Sequence, residues 1–221
     1  MEITMASSIF VIGAAGKVGR RLVPRLIKEG HRVTALYRRP EQEEDLKKLG
    51  AVPVFGSLTE LSVEELAQKM KGSDEIVFSA GAGGASIELT TAIDKDGLEK
   101  AVQAAQQADV KRFILVSAYP KSWREELYAQ VFEHYMHVKK EADTYLAESS
   151  LDWVILRPVA LTDEPGVGRV HAGLSVPNGS IRRDDVADFI VAVIGKATLS
   201  HRIIELVGGD TPIDVALQRI P

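Results

Sequence analysis

The run Ser8-Ile9-Phe10-Val11-Ile12-Gly13-Ala14-Ala15-Gly16-Lys17-Val18-Gly19 decides the fold. It begins with a short apolar stretch lacking polar alternation, the pattern of a parallel strand buried on both faces. Glycines follow at three-residue spacing. Leu22, Val23, Leu26 and Ile27 then recur at helical spacing up to Gly30, the expected C-terminal glycine cap. A strand that hands over to a helix through Gly-x-x-Gly-x-x-Gly is the setting of a dinucleotide site. In that reading Gly13 permits the tight turn and Gly16 lets backbone approach a pyrophosphate. Gly19 lets the helix pack closely on the sheet, and the helix N-terminus presents N–H groups and a positive dipole end to phosphate. Glycine could serve a bare βα turn as well. A glycine inside the first helix, however, costs about 1 kcal/mol relative to alanine, so Gly19 needs a further reason.

Working outward, the same alternation repeats. Further strands are expected at residues 32–36, 52–55, 75–79, 112–117 and 153–156, with helices at 41–49, 63–70, 90–108 and 134–148. Strand and helix in strict alternation predict an α/β protein: a Rossmann-like, doubly wound, mostly parallel sheet with helices on both faces. The last third is less regular. Asp184 or Asp185 is expected to cap a helix running to residue 193, with a strand at 203–207 and a short helix at 213–217. Residues 165–179, rich in glycine and proline, read as a surface loop or small subdomain. No internal repeat or linker interrupts the chain, so residues 1–221 are expected to form one domain. Its substrate-side region is placed at about 157–182 and in the C-terminal segment.

Composition narrows the partners. A net charge of −4 over 221 residues argues against general affinity for nucleic acid or an anionic membrane, so any bound anion needs a local site. There is no cysteine, which removes disulfides, thiolate nucleophiles and cysteine-ligated zinc. His134, His137 and His171 do not form a metal pattern, and no metal is expected. The apolar run at residues 9–12 is too short for a signal-peptide core or a membrane span. These features fit a cytoplasmic protein that binds a small molecule; Met5 is as good a start as Met1.

The second strand sharpens the cofactor. NAD-specific sites carry a carboxylate at its end for the ribose hydroxyls. Here Tyr37-Arg38-Arg39 follows instead. Adjacent arginines are usually solvated, but these stand where a 2′-phosphate would lie, and a guanidinium grips phosphate oxygens in pairs. Lys17 adds a further cation. The expectation is NADP(H), with NAD(H) as the alternative.

A candidate catalytic set follows the fifth strand. Ser117 ends that strand, and Tyr135 and Lys139 are one helical turn apart on one face. A tyrosine beside an ammonium can donate a proton during carbonyl reduction. In this scheme Tyr135 is the acid, Lys139 tunes it and holds the nicotinamide ribose, and Ser117 positions the substrate oxygen. Spacing alone is weak, since about 0.3 such Tyr-x-x-x-Lys pairs arise by chance in a chain of this composition. Its placement after a serine-ended strand is the stronger argument. Tyr119, Trp123, Phe132 and His134 fall where substrate contacts are expected, although aromatic residues there are more often packing. The run from Lys121 to Glu126 reads as a solvated helix start.

Five stretches together resemble the atypical short-chain dehydrogenase/reductases described as NAD(P)H-binding proteins, related to the biliverdin-reductase-B-like and NmrA-like families. They are Val11-Ile12-Gly13-Ala14-Ala15-Gly16, Asp74-Glu75-Ile76-Val77-Phe78-Ser79-Ala80-Gly81, Lys111-Arg112-Phe113-Ile114-Leu115-Val116-Ser117, Leu156-Arg157-Pro158 and Arg183-Asp184-Asp185-Val186-Ala187. The resemblance implies that Ala15 and Val18 belong to the cofactor loop. It also implies that Ala80 and Gly81 border the adenosine and ribose side, and that Pro158 and Val159 lie beside the nicotinamide. The chain departs from the pattern in two places. Gly56-Ser57-Leu58 stands where the family commonly has Gly-Asp-Leu, leaving Ser57 and Leu58 at the adenine. In addition, 17 residues separate Ser117 from Tyr135, more than in the best-known short-chain reductases. The functions implied are an NADPH-dependent reductase of a small organic acceptor or a non-catalytic NADP(H)-binding redox sensor with a protein partner. A sugar-nucleotide epimerase comes third, because the region after the sixth strand is short.

Overall fold

The computed structural model describes residues 6–120 and 130–220. Ser8–Ile12 forms β1 and Gly19–Lys28 forms α1, followed by β2 (Arg32–Tyr37), α2 (Gln42–Lys48), β3 (Val52–Phe55), α3 (Val63–Met70) and β4 (Glu75–Phe78). Next come α4 (Ile87–Thr90), a π-helical turn over Thr91–Lys95, α5 (Asp96–Gln107), β5 (Arg112–Val116), α6 (Gln130–Ala147) and β6 (Asp152–Pro158). The last third supplies β7 (Ala160–Thr162), β8 (Arg169–Gly173), β9 (Ser180–Arg182), α7 (Arg183–Val193), β10 (Arg202–Gly208), β11 (Thr211–Pro212) and α8 (Ile213–Gln218).

A nine-stranded sheet runs β11-β8-β10-β6-β5-β4-β1-β2-β3, and β7 pairs with β9 apart from it. The strands from β3 to β10 in that order are parallel, whereas β8 and β11 are antiparallel to their neighbours. This is the expected Rossmann-like α/β fold. The order reverses between β1 and β4, and the crevice beyond the carboxyl ends of such strands is where open α/β sheets hold ligands.

Alternation along each strand divides the core into two layers. Ile9 and Val11 face one hydrophobic cluster while Phe10 and Ile12 face the other. Val77 and Ile114 join the first; Phe78 and Phe113 join the second. Burying each such side chain contributes roughly 1.5–3 kcal/mol, so the apolar runs can lie only in the sheet interior. β3 carries Pro53, which has no N–H to give to an outer neighbour, and β3 is the edge strand. Gly30 ends α1 as expected. Its φ of +87° lets Gly30 N donate to Ile27 O and His31 N to Leu26 O, each at 3.0 Å.

Three expectations need correction. The helix expected at 90–108 begins earlier, where Ser86 caps α4 by accepting from Leu89 N at 3.1 Å, and the π-turn interrupts it. Residues 165–179 are not simply loop or subdomain, because they contain β8, whose buried Val170 joins the main sheet beside β10. Asp184 and Asp185 do not cap α7: the N-cap is Arg182, with no side-chain cap bond. Both carboxylates stand in the first turn, where the dipole favours them, but their oxygens meet donors from elsewhere. Asp185 Oδ1 accepts from Val167 N and Gly168 N, both at 2.8 Å, and Asp184 pairs with Arg25 at 2.6 Å. Met1, Met5, Trp123 and the run from Lys121 to Glu126 lie outside the described residues. Among the described residues no helix is long and apolar enough to cross a membrane.

Candidate active site

A cleft of about 470 Å³ opens along the carboxyl ends of β2, β1, β4 and β5. On the β2 side it is lined by Arg38, Arg39, Ser57 and Leu58. Its middle is formed by Gly13, Ala15, Gly16, Lys17 and Val18 from the glycine loop, with Ala80 and Gly81 beyond β4. Ser117, Tyr135 and Lys139 line it on the β5 side. The sheet and its helices thus bring the expected residues into one groove, Pro158 and Val159 excepted. Val159 is 2% exposed and donates its N–H to Leu206 O at 2.9 Å, and Leu161 reaches the cleft instead.

The glycine loop is shaped by its own crowding. Gly13 has φ +88°, and a Cβ there would lie 2.5 Å from Ala80 N. A Cβ on Gly19 would lie 2.3 Å from Gly13 O, so α1 can start this close to β1 only without one. Gly16 is less confined, its hypothetical Cβ falling 3.0 Å from the same oxygen. No side chain caps the N-terminus of α1. Two glycines therefore answer to the backbone, and the uncapped helix end beside them faces the cleft.

At the other end the central group is Lys139, only 3% exposed. Its ammonium donates to Val116 O at 3.2 Å and to Asp94 Oδ1 at 3.4 Å. Asp94, 1% exposed, also accepts from Ala82 N at 2.8 Å through Oδ2. Burial alone would push the Lys139 ammonium down, but Tyr135, Asp94 and Asp143 outweigh it and the pKa is raised. Tyr135 is partly exposed and lines the cleft. Burial raises its pKa; Lys139 opposes that rise, and Asp94 and Asp143 add to it. Tyr135 is therefore held as a neutral phenol with a proton to give.

Ser117 sits where β5 ends, its N–H donating to Leu156 O at 2.7 Å. Its hydroxyl is buried and makes no hydrogen bond of normal geometry among the described residues. It faces Asp143 closely enough to oppose, with Arg157 and Lys139, the upward push of burial on that carboxyl. Arg157 Nε holds Asp143 Oδ2 at 2.8 Å. A buried hydroxyl left without a full partner suits a ligand oxygen.

The other aromatic candidates divide. Tyr119 is 4% exposed and donates its hydroxyl to Val176 O at 2.9 Å, a packing role. Phe132 stacks obliquely near Tyr135 with ring centroids 6.0 Å apart. His134 Nε2 lies 2.9 Å from Thr91 Oγ1, tying α6 to the π-turn. Asp94, Gln42, Leu161 and Arg183 line the cleft without having been singled out from sequence. Asp94 did leave a trace there: it shares a helical face with Leu98, Ala101 and Ala105, so a carboxylate interrupts an otherwise apolar stripe.

The donor set fits a nicotinamide dinucleotide: a crowded glycine turn, an uncapped helix end, arginines at one end, and a phenol, an ammonium and an open hydroxyl at the other. A family model described as NAD(P)H-binding matches residues 13–197. The chain belongs to the NAD(P)H-binding family. A Bacillus subtilis (strain 168) protein named "Uncharacterized sugar epimerase YhfK" is 40% identical over 215 residues, spanning 96% of this chain and 99% of the relative. A solved structure from Bacillus halodurans, called "Putative NAD-dependent epimerase/dehydratase", superposes with a TM-score of 0.87 at 33% identity, covering 96% of this chain and 100% of that one. ChuY from Escherichia coli O157:H7, described as an anaerobillin reductase, shares the fold at a TM-score of 0.77 and 22% identity, with 92% and 98% coverage. The chain is thus an NAD(P)H-binding protein with an oxidoreductase-like fold.

Proposed function

We propose that this NAD(P)H-binding protein is an NADPH-dependent reductase of a small organic acceptor. The observation that carries the reading is the placement of Arg38 and Arg39 at one end of a single cleft and Ser117, Tyr135 and Lys139 at the other. When bound, the cofactor supplies a hydride to the acceptor carbon. Ser117 Oγ donates to the acceptor oxygen and holds it toward Tyr135. As negative charge develops on that oxygen, the Tyr135 hydroxyl transfers its proton to it. Lys139, fixed by Val116 O and Asp94, stabilises the resulting phenolate until water reprotonates it. Arg38, Arg39 and Lys17 hold phosphate, with Gly13, Ala15, Gly16 and Val18 forming the floor. Ser57, Leu58, Ala80 and Gly81 border the adenosine.

The names carried by the two Bacillus proteins favour a second reading, a sugar-nucleotide epimerase in which the same tyrosine removes a hydroxyl proton from a sugar. Against it, β8, β10 and β11 complete the main sheet and do not form a separate sugar-binding unit. The test is NADPH binding and oxidation by wild type beside Tyr135→Phe, over aldehydes, ketones, quinones, flavins and nucleotide sugars. General acid catalysis is worth about 10²–10⁴-fold, so the variant should lose that much kcat while holding NADPH as wild type does. Equal turnover by both proteins removes Tyr135 from the chemistry. Binding without turnover by either supports a redox sensor with a protein partner, and conversion of a nucleotide sugar alone supports the epimerase.

A further inference from the structure

Gln42 opens α2 directly behind the Arg38–Arg39 turn, lines the cleft, and is 8% exposed. Its Oε1 accepts from two backbone donors, Arg38 N and Arg39 N, each at 3.1 Å. That arrangement settles which end of the amide is which. Reversed, the side chain would aim two N–H donors at two N–H donors, so the oxygen must face the turn and the NH₂ must face away. Among the described residues Nε2 has no protein hydrogen-bond partner, and it is not among the polar atoms sealed from solvent, so it is open to the cleft that Gln42 lines. An amide whose oxygen is doubly used and whose nitrogen is open to the cleft can offer that nitrogen as a donor to a bound ligand.

The neighbouring charges are already committed in part. Arg39 Nε pairs with Glu41 at 3.0 Å, and Glu43 is engaged by Tyr37 at 2.9 Å and Lys47 at 2.8 Å. The Arg38 and Arg39 backbone N–H groups are consumed by Gln42, so they cannot serve an anion. The Arg38 and Arg39 side chains and Gln42, with its unused amide nitrogen, line this end of the cleft together.

We infer that Gln42 reads the 2′ position of the adenosine ribose: Oε1 fixes the Arg38–Arg39 turn, and Nε2 donates to a 2′-phosphate oxygen. This rests on the NADP(H) reading above and deepens it. One atom then sets the preference. A carboxylate in place of the amide keeps the acceptor that holds the turn, but replaces the donor with a charge that repels phosphate and accepts from a free 2′-hydroxyl.

The experiment is fluorescence titration of NADPH and NADH, and competition by 2′,5′-ADP and 5′-AMP, on wild type, Gln42→Glu, Gln42→Ala and Arg38→Ala. Gln42→Glu should weaken NADPH at least tenfold and leave NADH unchanged or tighter, moving the preference by roughly one to two orders of magnitude. Gln42→Ala should weaken NADPH severalfold with NADH little changed, which keeps the test alive if the glutamate variant folds poorly. Wild type that binds NADH as tightly as NADPH defeats the NADP(H) reading itself. Wild type that prefers NADPH, with Arg38→Ala reducing the preference and both Gln42 variants leaving it intact, overturns the role of Gln42 alone.

Discussion

Asp94 holds the proton-donating end of the cleft together. Its carboxylate joins an N–H from the loop after β4 to the ammonium on α6, and the side chain is closed to water. A buried pair of this kind adds little net stability, since desolvation offsets attraction, but removing one partner strands the other charge at a cost of about 3–5 kcal/mol. Asp94→Ala should therefore lower the urea unfolding free energy by about that amount. Asp94→Asn keeps an acceptor for Ala82 N and should lose less. A loss below about 1 kcal/mol for the alanine variant, the range of exposed ion pairs, would show that Lys139 does not depend on Asp94. Gly81 records the same constraint from the other side, because a Cβ there would lie 2.9 Å from Asp94 Oδ1.

Two elements give the site its shape. The first is the π-turn over Thr91–Lys95, which widens the helix by one residue per bond and carries buried Asp94 on the cleft side. The second is the β1–α1 loop, whose glycines differ in kind. Gly13 combines a left-handed φ with a clash into Ala80 N, while Gly16 has no positive φ and only a tight 3.0 Å approach to Gly13 O. Gly13→Ala should destabilise the fold by about 1–3 kcal/mol from backbone strain alone. For a chain of this length that is a fall in Tm of roughly 2–4 °C per kcal/mol. Gly16→Ala should leave Tm nearly unchanged and weaken NADPH. Thermal unfolding and NADPH titration on both variants check the contrast, and an equal Tm loss for the two would refute the difference between them.

Across the whole molecule the sheet has a working end and a clamped end. Opposite the cleft, Arg112 on β5 reaches Glu75 on β4 at 3.2 Å, Asp152 on β6 at 2.5 Å and Lys196 O at 3.0 Å. Glu75 Oε1 also accepts from Gly195 N at 2.9 Å, tying in the turn before β10. Burial raises the Glu75 pKa, and Arg112 and the Gly195 N–H oppose the rise without cancelling it. The folded state thus holds the Glu75 proton to higher pH than the unfolded chain, whose glutamates titrate near about 4.3. The stability from this group is present below that value and is lost as pH rises through the folded pKa. An amide at this position would not titrate, so Glu75→Gln should gain on wild type as pH increases from acidic toward neutral. Denaturant unfolding of both proteins across that window measures it, and a difference that moves in favour of wild type with rising pH has the wrong sign.

The parallel sheet, the glycine turn and the helical face shared by Tyr135 and Lys139 were legible in the chain alone. Each of these depends on neighbours within one turn or a few residues: β1 is apolar without break, Gly13 must adopt a positive φ, and four residues nearly close a helical turn. What those elements meet was left to packing. Nothing near Arg169–Gly173 announces that it pairs with β10, and helix capping, a local rule, misdirected Asp184 and Asp185 because Arg25 and the 167–168 backbone arrive from distant segments. Asp94 and Gln42 took their roles in the same way, one meeting an ammonium 45 residues away and the other bracing the Arg38–Arg39 turn beside the cleft. Side-chain periodicity reports which face is buried. The partner of a buried polar atom is chosen by the packed sheet, since each such atom must find its complement wherever the folded chain brings one within reach.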